Sequence, residues 1–224
     1  MEDTHQVREA ARGGLARSKK SPVDLLRRIR LRLGDLVRFL GAFLRGPVNV
    51  GAIAPSSRWL AAAMIKDCGL DVSDTVVELG PGTGSFTRSI LEEITEGTTF
   101  FALELDPAFS KGLEKNYPNL IVYNTSAENI SEYLARHGKT KADCIVSGLP
   151  WASLPMEIQE RIMKSVLTSL TPGGVFTTFA YVHARWFPNA LRFRRRLRRH
   201  FTEVKTSKVV WANLPPAFVY HCKR

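Results

Sequence analysis

The 224-residue sequence predicts an α/β protein built on a doubly wound, mostly parallel sheet, and three observations carry that expectation. Short β-branched or apolar runs alternate with helical periods from residue 75 to residue 180, the pattern that lays helices on both faces of a parallel sheet. The first run, Thr75-Val76-Val77, passes through Glu78-Leu79 into the glycine-rich turn Gly80-Pro81-Gly82-Thr83-Gly84, which opens a helix. Hydrophobic residues make up 44% of the chain, enough for the core of one such domain.

Residues 1–21 are polar, contain Gly13-Gly14 and lack a sustained apolar period, so a flexible arm is expected there. From Pro22 the pattern changes. Leu26, Ile29, Leu33, Leu36, Leu40 and Phe43 recur at alternating steps of three and four, which predicts an amphipathic helix within residues 22–46 with an apolar arc of about 120°. Arg27, Arg28, Arg32, Arg38 and Arg45 fall off that arc. A basic face opposite a leucine and phenylalanine face suits the interface of an anionic bilayer, with Arg27, Arg28, Leu33, Leu36, Leu40 and Phe43 as candidate membrane contacts. Packing on the protein's own core, or against a second chain, is the alternative open to any amphipathic helix.

The small-residue segment Asn49 to Ser57 would admit a ligand closely, and Ser56 or Ser57 is the expected N-cap of a helix reaching Lys66. Strands are expected at 75–79, 99–104, 120–124, 142–147 and 174–180, with helices at 85–96, 108–116, 129–137 and 155–170. After Pro188, Leu191, Phe193 and Leu197 interleave with Arg192, Arg194, Arg195, Arg196, Arg198 and Arg199 in a second basic helix. Two β-rich runs, 202–211 and 218–222, close the chain.

Composition narrows the function. Cys68, Cys144 and Cys222 are odd in number and widely spaced, which suggests neither a disulfide framework nor a zinc site, and no metal is expected. No apolar stretch reaches the length of a membrane span and the N-terminus lacks a secretory core, so a protein of the cytoplasm is expected. The net charge of +11 is unevenly spread: +6 over residues 1–47, −5 over 48–182, +7 over 183–205 and +3 over the remainder. Two basic segments therefore flank an acidic core, concentrating attraction for a polyanion in them.

The chemistry starts at Glu78. Bare glycine backbone lets a nucleotide-like ligand lie close, but a carboxylate just before the glycines repels phosphate and suits a cationic ligand. S-adenosylmethionine is such a cation. The segment Glu78 to Gly84 resembles motif I of the class I S-adenosylmethionine-dependent methyltransferases, and Glu104, ending the apolar run Phe100-Phe101-Ala102-Leu103, fits the family's second landmark. The resemblance implies a Rossmann-like sheet of seven strands ending in an antiparallel hairpin. It also implies cofactor contacts from Glu78, Gly80, Gly82, Gly84, Glu104, Leu105, Ala127, Glu128, Ser147 and Gly148, with Glu104 on the ribose hydroxyls and Glu128 toward adenine, and S-adenosylhomocysteine as the product. Glu128 is equally well placed as an acid in the first turn of its helix.

Ser147-Gly148-Leu149-Pro150-Trp151 follows the fourth strand. Methyltransferases of base amines, including the ribosomal RNA adenine dimethyltransferases, usually carry Asn or Asp where Gly148 stands here. Its absence argues against a base substrate, while Pro150-Trp151 still suits transfer to nitrogen, an indole face stabilising an ammonium by about 0.5–2 kcal/mol. Together with the basic amphipathic segment, Gly51-Ala52-Ile53-Ala54-Pro55-Ser56-Ser57 and Glu104-Leu105-Asp106-Pro107, the constellation is similar to the bacterial phospholipid N-methyltransferases, across residues 22–224. This resemblance implies a methyltransferase domain over 47–224 that acts on phosphatidylethanolamine and its partly methylated forms toward phosphatidylcholine. The enzyme would sit on the inner face of the cytoplasmic membrane, activated by anionic lipids of the phosphatidylglycerol or cardiolipin type. Candidate acceptor residues are Ile53, Ser56, Pro150, Trp151, Tyr181, His183 and Arg185, with Trp151, Tyr181 and Arg185 nearest the chemistry and Arg185 suited to a phosphate. They are open to an ordinary reading as polar loop residues. A nucleic-acid partner is not expected, and an RNA-adenine methyltransferase is the competing reading, resting on the arginine-rich segments.

Overall fold

A computed structural model describes residues 56–224; the expected arm at 1–21, the helix at 22–46 with its six candidate membrane contacts, and Ile53 lie outside the described residues. Within them the chain runs α1 (Arg58–Ile65), β1 (Thr75–Leu79), α2 (Thr87–Glu93), β2 (Thr99–Glu104), α3 (Pro107–Asn116), β3 (Ile121–Asn124), α4 (Ile130–Arg136), β4 (Ala142–Ser147), α5 (Met156–Ser169), β5 (Leu170–Tyr181), α6 (Pro188–His200), β6 (Glu203–Thr206) and β7 (Ala217–Lys223).

The seven strands form one sheet in the order β3-β2-β1-β4-β5-β7-β6. β1 is central and every residue of it is buried, as a strand sandwiched between helices requires. It pairs in parallel with β2 on one side, Val77 opposite Phe101, and with β4 on the other, Val77 opposite Ile145. The order reverses between β1 and β4, so the carboxyl ends of these strands border the crevice where doubly wound sheets take ligands. β7 runs antiparallel to both β5 and β6.

Alternate strand residues serve opposite layers. Val76, Cys144 and Val146 pack with Leu60, Met64 and Ile90 on one face. On the other, Phe176 meets Trp151 edge-on at 5.9 Å and stacks on Phe201 at 5.7 Å. α6 buries Ala190, Phe193 and Leu197, and keeps Arg198, Arg199 and His200 in its last turn, where cations favour the helix dipole. All three cysteines are buried free thiols.

Three expectations change, the first being that the strand placed at 174–180 already begins at Leu170. The helix placed at 85–96 contracts to Thr87–Glu93, and the strand placed at 202–211 stops at Thr206. There Ser207 replaces ladder geometry with its side chain: its amide donates to the Val219 carbonyl at 2.9 Å while its Oγ accepts from the Val219 amide at 2.9 Å. The chain then leaves the sheet, touching it again at the Val210–Ala217 bridge. The loop it forms reaches the start of α1, where Ser57 caps the helix by accepting from the Leu60 amide. The Ser57 amide itself donates to Oδ1 of buried Asn213 at 2.9 Å, and Asn213 Nδ2 donates to the Pro215 carbonyl.

Candidate active site

The donor half is built where β1 gives way to the glycine turn. Gly80, Gly82 and Gly84 have φ of 62°, 58° and 86°, the left-handed region that side chains avoid. Space is tight at two of them as well: a Cβ on Gly80 would lie 2.5 Å from Leu149 Cδ2, and one on Gly84 2.8 Å from the Tyr117 ring, so those side chains would have to shift. Beside this turn Glu78 is fully buried, its Oε2 accepting from Thr87 Oγ1 at 2.7 Å while Oε1 is buried with no hydrogen-bond partner among the described residues. Burial, with a smaller contribution from the charge of Glu104, pushes the Glu78 carboxyl up to about 8.

Glu104, at the end of β2, does something the sequence does not reveal. Its Oε2 accepts from the Gly82 amide at 3.0 Å and its Oε1 from the Asp106 amide at 2.8 Å, so it clamps the glycine turn to the neighbouring strand. Burial raises its carboxyl too, against the stabilisation these amides give the charge. Each oxygen keeps a second lone pair, so the clamp leaves acceptor capacity for a diol. Asn124 fixes the adjoining backbone by donating to the Glu104 and Leu105 carbonyls.

These residues fit a cationic nucleoside cofactor: an orphaned buried carboxylate oxygen calls for a cation, and a Cβ-free turn admits a close ligand. At Glu128 the geometry favours a structural part, since its Oε2 accepts from Arg161 Nε at 2.7 Å. Ala127, before it, is buried, and the Ser126 hydroxyl caps the short turn they share.

The acceptor half follows β4. Gly148 donates its amide to the Leu79 carbonyl at 2.8 Å, and a Cβ there would stand 2.5 Å from the Gly80 carbonyl oxygen. No side chain fits at this position without moving backbone. Two expectations are corrected at this point. Ser147 is fully buried and turns its hydroxyl to the protein, accepting from Trp151 Nε1 at 3.0 Å. Trp151 is only 1% exposed, stacked on Phe193 at 5.0 Å and edge-on to Phe176, so its indole face is occupied by the core and not offered to an ammonium.

Beyond it lies a cavity of about 510 Å³, walled by Pro150, the edge of Trp151, Phe179, Tyr181, Phe193 and Tyr220, with His183, Asn189 and Arg192 among its polar groups. Tyr181 packs edge-on to Phe179 and stacks on His183 at 5.6 Å, and burial raises its phenol. Arg185 is not on this wall: its guanidinium lies over the Trp186 ring at 5.3 Å. The structure thus brings together Pro150, Trp151, Tyr181 and His183, leaves out Arg185, and places Ser56, half-buried, beside the Ser57 cap. Phe193 and Arg192 were expected only as members of the second basic helix, and Thr87 and Asn213 were not anticipated; of these two Thr87 carried a signal, a hydroxyl in the first turn of the helix that the glycine turn opens.

Residues 57–184 match the family described as Ribosomal RNA adenine dimethylase. The chain belongs to that family. As a member it is an S-adenosylmethionine-dependent methyltransferase. It is similar to the ornithine lipid N-methyltransferase of Singulisphaera acidiphila, with 33% identity over 195 residues that cover 84% of this chain and 96% of the relative. Among solved structures, the O-methyltransferase of Bacillus cereus in complex with S-adenosylhomocysteine superposes with a TM-score of 0.57 at 13% identity, over 86% of this chain and 90% of that one. The N-methyltransferase NodS of Bradyrhizobium japonicum gives 0.52 at 14%, over 88% and 96%. At such identities the likeness is one of fold.

Proposed function

We propose that this methyltransferase transfers methyl groups to the amine of a membrane lipid. The observation that carries the reading is Gly148: the position that usually holds Asn or Asp in base-amine methyltransferases has no room for a side chain, since a Cβ there would lie 2.5 Å from the Gly80 carbonyl oxygen. A planar exocyclic amine would lack its usual partner, whereas a flexible aliphatic amine needs none. The apolar cavity beyond, walled by Phe179, Tyr181, Phe193 and Tyr220, suits the head of an amphiphile.

Bound S-adenosylmethionine supplies an electrophilic sulfonium methyl. Glu78 would face its positive charge, Glu104 its ribose and the backbone of Gly80 to Gly84 its body. The amine must arrive uncharged and in line, so cavity walls that shed water and orient the head group contribute most of the acceleration. His183, Tyr181 and Tyr220 are ionisable groups on the wall through which the ammonium proton would leave.

Phosphatidylethanolamine is the acceptor implied by the resemblance to phospholipid N-methyltransferases; the relative of 33% identity favours a second, ornithine lipid. An ornithine head group pairs an amine with a carboxylate, the phospholipid pairs it with a phosphate, and Arg192 on the cavity wall serves either anion. The test supplies labelled S-adenosylmethionine and vesicles containing each lipid in turn, with products separated by mass spectrometry. Methylated lipid is the expected outcome, and its identity chooses between the acceptors. Label in ribosomal RNA adenine with both lipids untouched would overturn the reading.

A further inference from the structure

Three of the chain's four tryptophans stand in water. Trp59, Trp186 and Trp211, joined by Phe187 and Leu214, are 55% to 74% exposed, and side chains of this size are seldom left so without a partner. They lie on three short segments tied to one another. Trp59 is in the first turn of α1, whose Ser57 amide is held by Asn213, the neighbour of Leu214. Trp186 and Phe187 follow β5 on the segment where the Val182 amide donates to the Pro216 carbonyl at 2.9 Å. Phe187 itself lines the acceptor cavity. All three segments sit at the end of β5 where Tyr181 pairs with Ala217, the sheet edge that also bears the carboxyl ends of β1, β2 and β4.

We propose that this aromatic rim is a membrane-docking surface, which sinks into the head-group layer of an anionic bilayer and opens the acceptor cavity directly onto the leaflet. Tryptophan is suited to that layer because its body is apolar and its N–H polar. Charge agrees at the rim itself, where Arg58 and Arg185 lie and guanidinium groups pair with lipid phosphates. The same arginines disfavour single-stranded RNA as the occupant. Arg58 Cζ covers one face of the Trp59 ring at 4.8 Å and Arg185 Cζ one face of that of Trp186 at 5.3 Å, so on each of these rings a face that would stack a base is already taken, while the edges remain for lipid. The lipid partner rests on the function proposed above; the docking does not require catalysis.

Residues 1–55 contain no tryptophan, so indole emission from the full-length protein reports the rim whatever other segments bind. Vesicles of phosphatidylglycerol with bromine on the acyl chains are expected to shift that emission to the blue and quench it, Trp151 remaining as the buried background. Trp186→Ser and Trp211→Ser should each weaken partitioning roughly tenfold, the scale of withdrawing half an indole from an apolar layer. Protein that cosediments with the vesicles yet shows neither shift nor quenching would overturn the proposal. So would quenching by polyuridylic acid with the vesicles silent. A protein that is quenched but methylates no lipid sinks only the assigned reaction. One that methylates detergent-dispersed lipid without being quenched by vesicles sinks only the rim.

Discussion

At Glu78, one carboxyl oxygen is bonded to Thr87 and the other has no partner among the described residues. Its ionisation is raised to about 8 by burial, so between the ordinary carboxylate range and pH 8 the folded chain holds a proton that the unfolded chain has lost. Stability therefore falls as pH rises through that window, by up to about 1.4 kcal/mol per pH unit for this group. Glu78→Gln, which can keep the Thr87 bond, should flatten that slope in urea unfolding measured from pH 5 to pH 8. The same variant should bind S-adenosylmethionine about 10 to 100 times more weakly in calorimetry, the loss typical of a hydrogen bond to a charged group. Gly148→Asn tests the neighbouring turn. Forcing a side chain against the Gly80 carbonyl should cost about 1–3 kcal/mol in thermal melting and confer no activity on adenine.

Between elements, single polar side chains do the joining. Asn213→Ala removes the acceptor of the Ser57 amide and the donor to the Pro215 carbonyl, and should cost about 1–3 kcal/mol. Hydrogen exchange should then quicken at the start of α1 more than in β1. The elements were largely legible in the sequence, since strand runs, helical periods and the glycine turn are local patterns. What escaped was long-range. Trp151 reads as a free indole until Phe193, from α6, stacks on it and Ser147 takes its N–H. Glu104 reads only as a ligand-facing acid until the Gly82 amide, arriving from another loop, shows that it also clamps the glycine turn. β6 is shorter than its composition suggests because Ser207 Oγ captures the Val219 amide, a pairing that no residue count predicts.

For the whole molecule, the uneven charge is the governing property. An acidic middle and basic flanks, within a total of +11, make attraction to anionic surfaces strong at low salt and screened beyond about 10 Å at 0.1 M. Half-saturation on phosphatidylglycerol vesicles should therefore need several-fold more lipid at 0.5 M than at 0.05 M salt, and a flat salt response would mean that apolar insertion alone holds the protein.

The two turns that meet at Gly80 and Gly148 carry a further consequence. The Gly148 amide donates to the Leu79 carbonyl, a methyl on Gly80 would displace the Leu149 side chain, and Gly148 has no room for one beside the Gly80 carbonyl. The glycine turn after β1 and the turn after β4 are thus one interlocked part. Transplanting an Asn-containing motif from an adenine methyltransferase would displace the turn after β1, so a chimaera designed to change acceptor should exchange both turns together.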